Sequence, residues 1–194
     1  MSELVFFLEE PSAKAMLEGL LPRILQQDNA IRYVVFEGKQ DLEKQLVRRM
    51  RGYRKPDACF IVVRDQDSGD CVAIKQRLAV LCVEAGRPDA IIRIACRELE
   101  SFYLADLAAV EQGLSVTGLV RQQNHAKFRA PDRLGSPSQE LKSLTKGLYQ
   151  KIGGSRAIGP FLDPENSRSN SFKVLVEAIR HLATQGCGVG LTTP

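Results

Sequence analysis

Four short apolar runs, separated by stretches of helical spacing, constrain the fold of this chain more than any other feature. The runs are rich in β-branched and aromatic residues and do not alternate with polar ones, so each predicts a strand with both faces buried. They are LVFFL, IRYVVF, ACFIVV and IIRIA, at residues 4–8, 31–36, 58–63 and 91–95. Strands of this kind indicate an interior sheet.

The stretches between the runs predict helices at residues 12–27, 41–50 and 71–85, with Pro22 as a possible kink. A helix between consecutive strands is the connection that parallel strands require. The first half therefore predicts an α/β fold with a mainly parallel four-stranded sheet flanked by helices.

After about residue 110 the chain becomes rich in glycine, proline, serine and basic residues, and no further strand is evident. Helices are predicted at residues 137–148 and 171–184. We therefore expect a core over residues 1–112 and a basic, mostly helical, loop-rich C-terminal subdomain over residues 113–194, packed on the core.

Composition narrows the class of protein. A hydrophobic fraction of 44% in 194 residues is enough for one buried core. No apolar run approaches the ~18 residues of a membrane span, and the N-terminus MSELVFFLEE lacks the basic leader of a secretory signal, so we expect a cytoplasmic protein. The five cysteines are odd in number and widely spaced, which predicts reduced thiols rather than a disulfide framework or a zinc site.

Acidic residues follow three of the four predicted strands. They are Glu9 and Glu10 after the first, Asp65 and Asp67 after the third, and Glu98 and Glu100 after the fourth. Loops at the carboxyl ends of parallel strands converge on one crevice. In an extended segment, alternate residues such as Asp65 and Asp67 also point to the same side.

Carboxylates gathered in this way repel each other by about 4 kcal/mol per pair at about 4 Å, under an effective dielectric constant near 20. A cation removes that penalty, and oxygen ligands favour Mg²⁺ or Mn²⁺, with room for two ions. Each group also has an ordinary interpretation, as a helix start, a polar loop or a helix surface. Their joint placement favours the metal site, but it leaves open whether Glu9 or Glu10, and Glu98 or Glu100, would bind the ion.

The same residues resemble the Toprim pattern of topoisomerases, primases and OLD-type nucleases. In that pattern a glutamate follows the first strand, here Leu8-Glu9, and a DxD motif follows a later one, here Asp65-Gln66-Asp67. LEEPSAK, FEGKQDLEKQL, RDQDSGD and CRELESFYLADL together resemble a bacterial Toprim-like family known as domain-of-unknown-function family 4276, and the likeness extends to RAIGPFLDPENSRSNSF.

The resemblance implies metal-dependent cleavage, often encoded beside an ABC-type or OLD-like ATPase in phage-defence gene clusters. Toprim proteins commonly have glycine after the first glutamate, whereas Glu10 stands there in this chain. The resemblance assigns the catalytic role to Glu9.

Basic residues recur through the C-terminal half. We take Lys127, Arg129, Lys151 and Arg156 as candidate contacts to a nucleic-acid backbone. The segment KIGGSR is interpreted as a glycine- and serine-rich loop able to cradle phosphate. Gly38-Lys39 in FEGKQ lacks the glycine spacing of a Walker motif.

The sequence therefore predicts a Mg²⁺- or Mn²⁺-dependent nuclease acting on DNA or RNA, as an effector of phage defence. Asp65, Asp67 and Glu98 or Glu100 would hold the metal, and Glu9 would be a ligand or general base. The alternative hypothesis is a non-catalytic partner subunit that docks on an ABC- or OLD-type ATPase.

Overall fold

The computed structural model describes residues 3–25 and 29–187. Within them lies one sheet of four strands, all parallel, in the order β2-β1-β3-β4. The strands are β1 (Glu3–Leu8), β2 (Ile31–Val35), β3 (Ala58–Asp65) and β4 (Ile91–Ala95). The predicted α/β class and the parallel four-stranded sheet are confirmed.

Three helices connect the strands, namely α1 (Pro11–Ile24), α2 (Lys39–Arg51) and α3 (Cys71–Glu84). Their bounds agree with the prediction to within three residues. The predicted end of α1, at residue 27, lies outside the described ranges. Pro22 lies inside α1, which continues for two more residues.

Five further helices follow the sheet within the described residues. They are α4 (Glu100–Leu104), α5 (Leu107–Leu114), α6 (Pro137–Leu144), α7 (Lys151–Ile158) and α8 (Asn170–Gln185), with short 3₁₀ turns between them. Only α6 and α8 were predicted. No helix in the described ranges is long and apolar enough to cross a lipid bilayer.

The sheet separates two hydrophobic layers, because successive side chains of a strand point to opposite faces. In β1, Leu4, Phe6 and Leu8 join one layer while Val5 and Phe7 join the other. The first layer lies under α1 and the C-terminal helices, and the second lies under α2 and α3. Burial on both faces explains the unbroken apolar runs of β1 and β3. The prediction of two buried faces is wrong for β2, which lies at the edge of the sheet and is only partly buried.

The chain reverses direction across the sheet at β1. From β1 it passes through α1 to the outer strand β2, and then through α2, on the other face, back to β3 on the opposite side of β1. Such a reversal opens a crevice at the carboxyl ends of the two central strands. The first two groups of acids along the chain, which follow β1 and β3, therefore meet at adjacent strand ends.

The C-terminal helices share the core of the first half. Ile158 and Phe172 belong to the same layer as Leu4 and Phe6, and the expected boundary at residues 112 and 113 falls inside α5. At Gly159 the backbone approaches α1 so closely that a Cβ would lie 2.5 Å from the carbonyl oxygen of Met16. The glycine there permits close packing of α1 against the chain after α7.

The segment KIGGSR is not a loop. It forms the first six residues of α7, and Ser155 is fully buried. A Cβ on Gly154 would lie 2.4 Å from the Tyr149 ring, so this glycine allows an aromatic ring to pack against the helix. The prediction of a phosphate-cradling loop is wrong, because the segment is helical and Gly154 serves the packing of Tyr149 against the helix.

Two of the five cysteines form a disulfide bond, Cys59 in β3 with Cys187 after α8. Cys71, Cys82 and Cys96 are free thiols. The expectation of reduced thiols is therefore wrong for Cys59 and Cys187. Their separation of 128 residues in sequence gave no spacing signal from which the pair could be recognised.

Candidate functional site

Glu9 lies at the centre of the carboxyl edge of the sheet. Its backbone N–H donates to the carbonyl of Val63 at 3.2 Å, and its side chain accepts from the backbone N–H of Asp65 at 3.1 Å. The residue is only 7% exposed. Burial raises the pKa of Glu9, and the nearby Asp67 and Glu10 raise it further against the opposing Asp65 N–H and Arg64.

Glu10 points to a different part of the molecule. It occupies the N-cap position of α1 without a capping bond from its side chain, and its carboxylate lies 2.6 Å from Nζ of Lys151 in α7. Of the two candidates, Glu9 lies against β3, whereas Glu10 bridges to the C-terminal helices.

Asp65 ends β3 and is surrounded by acids. Burial raises its pKa well above the ordinary value, and Glu100, Glu9 and Glu10 raise it further, while the Leu99 backbone N–H lowers it. Asp65 therefore lies within electrostatic reach of acids that follow β1 and β4.

Glu100, in the first turn of α4, is the most buried of these acids at 1% exposure. The Tyr149 hydroxyl donates to its Oε1 at 2.9 Å, whereas its Oε2 is buried and has no hydrogen-bond partner. Burial raises the pKa of Glu100 even though Tyr149 and Lys151 act to lower it. An unpartnered buried carboxylate oxygen is costly unless a ligand satisfies it.

Glu98 has a different environment. It is half-buried, and its Oε2 accepts the backbone N–H of Ser138 at 2.7 Å, at the start of α6. A carboxylate at this position satisfies a free N–H of the helix and suits its dipole. Glu100 therefore lies in the acidic group with Asp65, and Glu98 ties α6 to the sheet edge.

Asp67 lies beyond the end of β3 in a left-handed turn, with φ of 54°. Its backbone N–H donates to the carbonyl of Arg97 at 2.6 Å, and Arg97 is itself left-handed, with φ of 64°. The expectation that Asp65 and Asp67 share one side of an extended segment is wrong, because the strand stops at Asp65. Asp67 instead pairs with Lys39 at 2.7 Å.

Two lysines border the acidic group from opposite faces of the sheet. Lys39 is the first residue of α2 and Lys151 the first residue of α7. The hydrogen bond that Lys39 donates to the Asp67 carboxylate raises the pKa of Lys39. For Lys151, burial acts to lower the pKa, but Glu10, Glu100 and Asp65 outweigh it and raise the value.

Lys151 was predicted to contact a nucleic-acid backbone, whereas no role was predicted for Lys39. The sequence feature that could have pointed to Lys39 is the glycine before it. Gly38 has φ of 104° and donates its N–H to the Glu9 carbonyl. This contact brings the start of α2 to the acids. Tyr149 carried no sequence signal.

The other candidate basic residues lie on the surface of the C-terminal half. Lys127 forms an ion pair with Glu140, while Arg129 and Arg156 are exposed. Of the four basic candidates, Lys151 is the one that pairs with a residue of the acidic group.

The acids offer the oxygen donors that Mg²⁺ or Mn²⁺ requires, and the unpartnered Oε2 of Glu100 and the crowding at Asp65 fit a cation. As the side chains stand, however, no three carboxylate, histidine or cysteine groups within the described ranges are arranged to hold an ion. Glu10 and Asp67 are held by lysines and Glu98 by Ser138, so a cation would have to exchange with some of these partners.

A family described as a domain of unknown function, DUF4276, has a model that matches residues 8–180, most of the chain. No curated protein and no solved structure gave a match. The matched region spans the sheet from the end of β1, all the acids discussed above and most of α8.

Proposed function

This chain belongs to the DUF4276 family, whose description assigns no activity, and we propose that it is a divalent-metal-dependent hydrolase of nucleic-acid phosphodiesters. The observation that carries the proposal is the crowding of Glu9, Glu10 and Glu100 around Asp65 at the carboxyl ends of the two central strands. Perturbed acids in a crevice at a chain reversal are typical of a functional site rather than of a solvated surface.

Asp65 and Glu100 would hold the cation, and Asp67 and Glu10 would join it once Lys39 and Lys151 release them. Glu9 would be a further ligand or the general base. A bound Mg²⁺ or Mn²⁺ would supply activation of water and neutralisation of the charge on the phosphodiester. Glu9 is suited to move a proton, because its raised pKa brings it closer to neutral pH. Its Oε2 accepts the Asp65 N–H, which leaves Oε1 as the atom to accept the proton.

A nucleic-acid substrate is supported by the charge of the chain. The net charge is +4, and the exposed Arg129 and Arg156 add to the basic surface of the C-terminal half. The order of Glu9 after β1 and Asp65-Gln66-Asp67 after β3 also supports a relationship to Toprim nucleases of the OLD type. In line with that relationship, the proposed role of the protein is that of a phage-defence effector that works beside an ATPase.

The test is a cleavage assay on DNA and RNA panels with Mg²⁺, Mn²⁺ or chelator, in the presence and absence of an ATPase encoded beside the gene. We expect metal-dependent cleavage that is lost in Asp65→Ala plus Asp67→Ala. Lys173→Met is the control, because it changes an exposed residue of α8 and should retain activity. A buried residue such as Arg93 is unsuitable for this purpose. Undiminished cleavage by the double variant would rule the proposal out.

A second candidate function is a non-catalytic partner subunit of an ABC- or OLD-type ATPase. The observation that favours it is the outer face of α3, where Val72, Val80 and Val83 are each more than 60% exposed. Two of the charges on α3 are paired within the chain, Arg77 with Glu43 and Glu84 with Arg51, which leaves the exposed valines suited to an apolar partner surface. Under this alternative, Val80→Asp and Val83→Asp should abolish co-purification with the ATPase, and the isolated chain should show no cleavage of its own.

A further inference from the structure

Two carboxylates at the rim of the acidic group are each held by a lysine that begins a helix. Lys39 Nζ lies 2.7 Å from Asp67, and Lys151 Nζ lies 2.6 Å from Glu10. The two helices, α2 and α7, come from opposite faces of the sheet. Two unrelated parts of the chain therefore deliver the same chemical group to the same site.

The position of both lysines is unfavourable for the helices that carry them. The N-terminus of a helix carries partial positive charge, so a cation there is destabilising, and α7 has no acidic residue in its first turn to compensate. The carboxylates of the site provide the compensation instead. Lys151 faces Glu10, Glu100 and Asp65, and Lys39 faces Asp67 and Glu9.

Both ion pairs are accessible enough to break. Lys39 and Asp67 are 48% and 36% exposed, and Lys151 and Glu10 are 47% and 28% exposed. Ion pairs with this degree of solvent contact contribute little net stability. A divalent cation with several carboxylate ligands can therefore displace an ammonium group that holds one.

We propose that Lys39 and Lys151 act as internal counter-ions, which occupy Asp67 and Glu10 until a divalent cation displaces them. The inference rests on the proposed metal-dependent function and adds its regulation: cation binding and lysine release are one exchange. The released ammonium groups remain at the rim, on either side of the site, where an anionic substrate would meet them.

The exchange is tested by calorimetric titration of Mn²⁺ into chelator-stripped protein. Lys39→Met and Lys151→Met should each bind Mn²⁺ about two- to fivefold more tightly than the wild type, the range that corresponds to an exposed ion pair. Lys39→Arg should resemble the wild type because it keeps the pair. Lys173→Met, which removes an exposed lysine paired with Glu177 on α8, is the matched control and should not change the affinity.

A double-mutant cycle separates local exchange from the general loss of positive charge. The gain from Lys151→Met should disappear in a Glu10→Gln background, since the lysine then has no carboxylate to release. A gain that persists with Glu10→Gln, or wild-type affinity in both lysine variants, would overturn the counter-ion role while leaving the proposed function standing. Failure of the wild type and all variants to bind Mn²⁺ or Mg²⁺ would overturn both.

Discussion

The backbone N–H of Asp65 donates to a carboxylate oxygen of Glu9 at 3.1 Å, so the two acids that end adjacent central strands are fixed side by side. This N–H stabilises the Glu9 carboxylate, but it does not relieve the repulsion that Glu10 and Glu100 exert on the Asp65 carboxylate. A natural chain keeps such an arrangement when function requires it, at the expense of stability. The cost to stability can be measured without knowledge of the substrate.

We expect Asp65→Asn to stabilise the protein in the presence of a chelator. The amide keeps an oxygen to accept the Leu99 N–H but removes a charge that faces three other carboxylates. The free energy of unfolding in urea should rise by about 0.5–2 kcal/mol, the usual range for relief of a functional strain. Asp41→Asn is the control with the opposite sign, because Gln45 and the Glu37 N–H lower the pKa of Asp41 and stabilise its charged form. A destabilised Asp65→Asn would contradict the crowding.

The stabilisation by Asp65→Asn should depend on pH. An acid whose pKa is raised in the folded state binds more protons there than in the unfolded state, so its contribution is favourable at low pH and is lost as the pH rises above the ordinary value of 3.8. The difference in unfolding free energy between the variant and the wild type should therefore grow as the pH rises above the ordinary value of 3.8, and it should level off only once the folded-state carboxyl has ionised. Urea titrations at several pH values with chelator check this, and a difference independent of pH would argue against a raised pKa.

The arrangement of the first half could be predicted because it is local in sequence. Strands buried on both faces, with helices between them, leave a parallel sheet as the physical solution, and a parallel sheet brings the ends of β1 and β3 together. The place of Asp65 followed from this logic, whereas Glu9 was preferred to Glu10 through the Toprim resemblance. The choice of Glu100 over Glu98 did not, because it depends on Tyr149 and Ser138, which come from the far end of the chain.

The wrong predictions have a common physical cause. Glycines in KIGGSR were interpreted by their conformational freedom, but at Gly154 a helix uses the missing side chain to admit the Tyr149 ring. The Cys59–Cys187 bond and the lysine pairs likewise join positions distant in sequence. Single-residue patterns carry little information on such contacts, because tertiary packing decides them.

The disulfide bond should contribute substantially to stability. It joins β3 to the chain after α8 across 128 residues, and cross-links over long loops restrict the unfolded chain most. Cys187→Ser should lower the free energy of unfolding by about 2–5 kcal/mol under non-reducing conditions. The wild type with reductant should unfold like the variant, whereas Cys71→Ser, at a free thiol, should behave like the oxidised wild type. Insensitivity of the wild type to reductant would show that the bond does not form in solution.

Two adjacent glycines in α7 provide a paired test of the helix that replaced the expected loop. A Cβ on Gly153 would meet nothing within 4 Å, whereas a Cβ on Gly154 would lie 2.4 Å from Tyr149. In a helix, Gly153→Ala should stabilise by up to about 1 kcal/mol because alanine has the higher helix propensity. Gly154→Ala should instead destabilise, because it displaces the ring whose hydroxyl donates to the buried Glu100. Thermal unfolding of the two variants measures both effects. In a phosphate-binding loop the two substitutions would have no reason to differ in sign, so equal changes would contradict the packing of Tyr149 against α7.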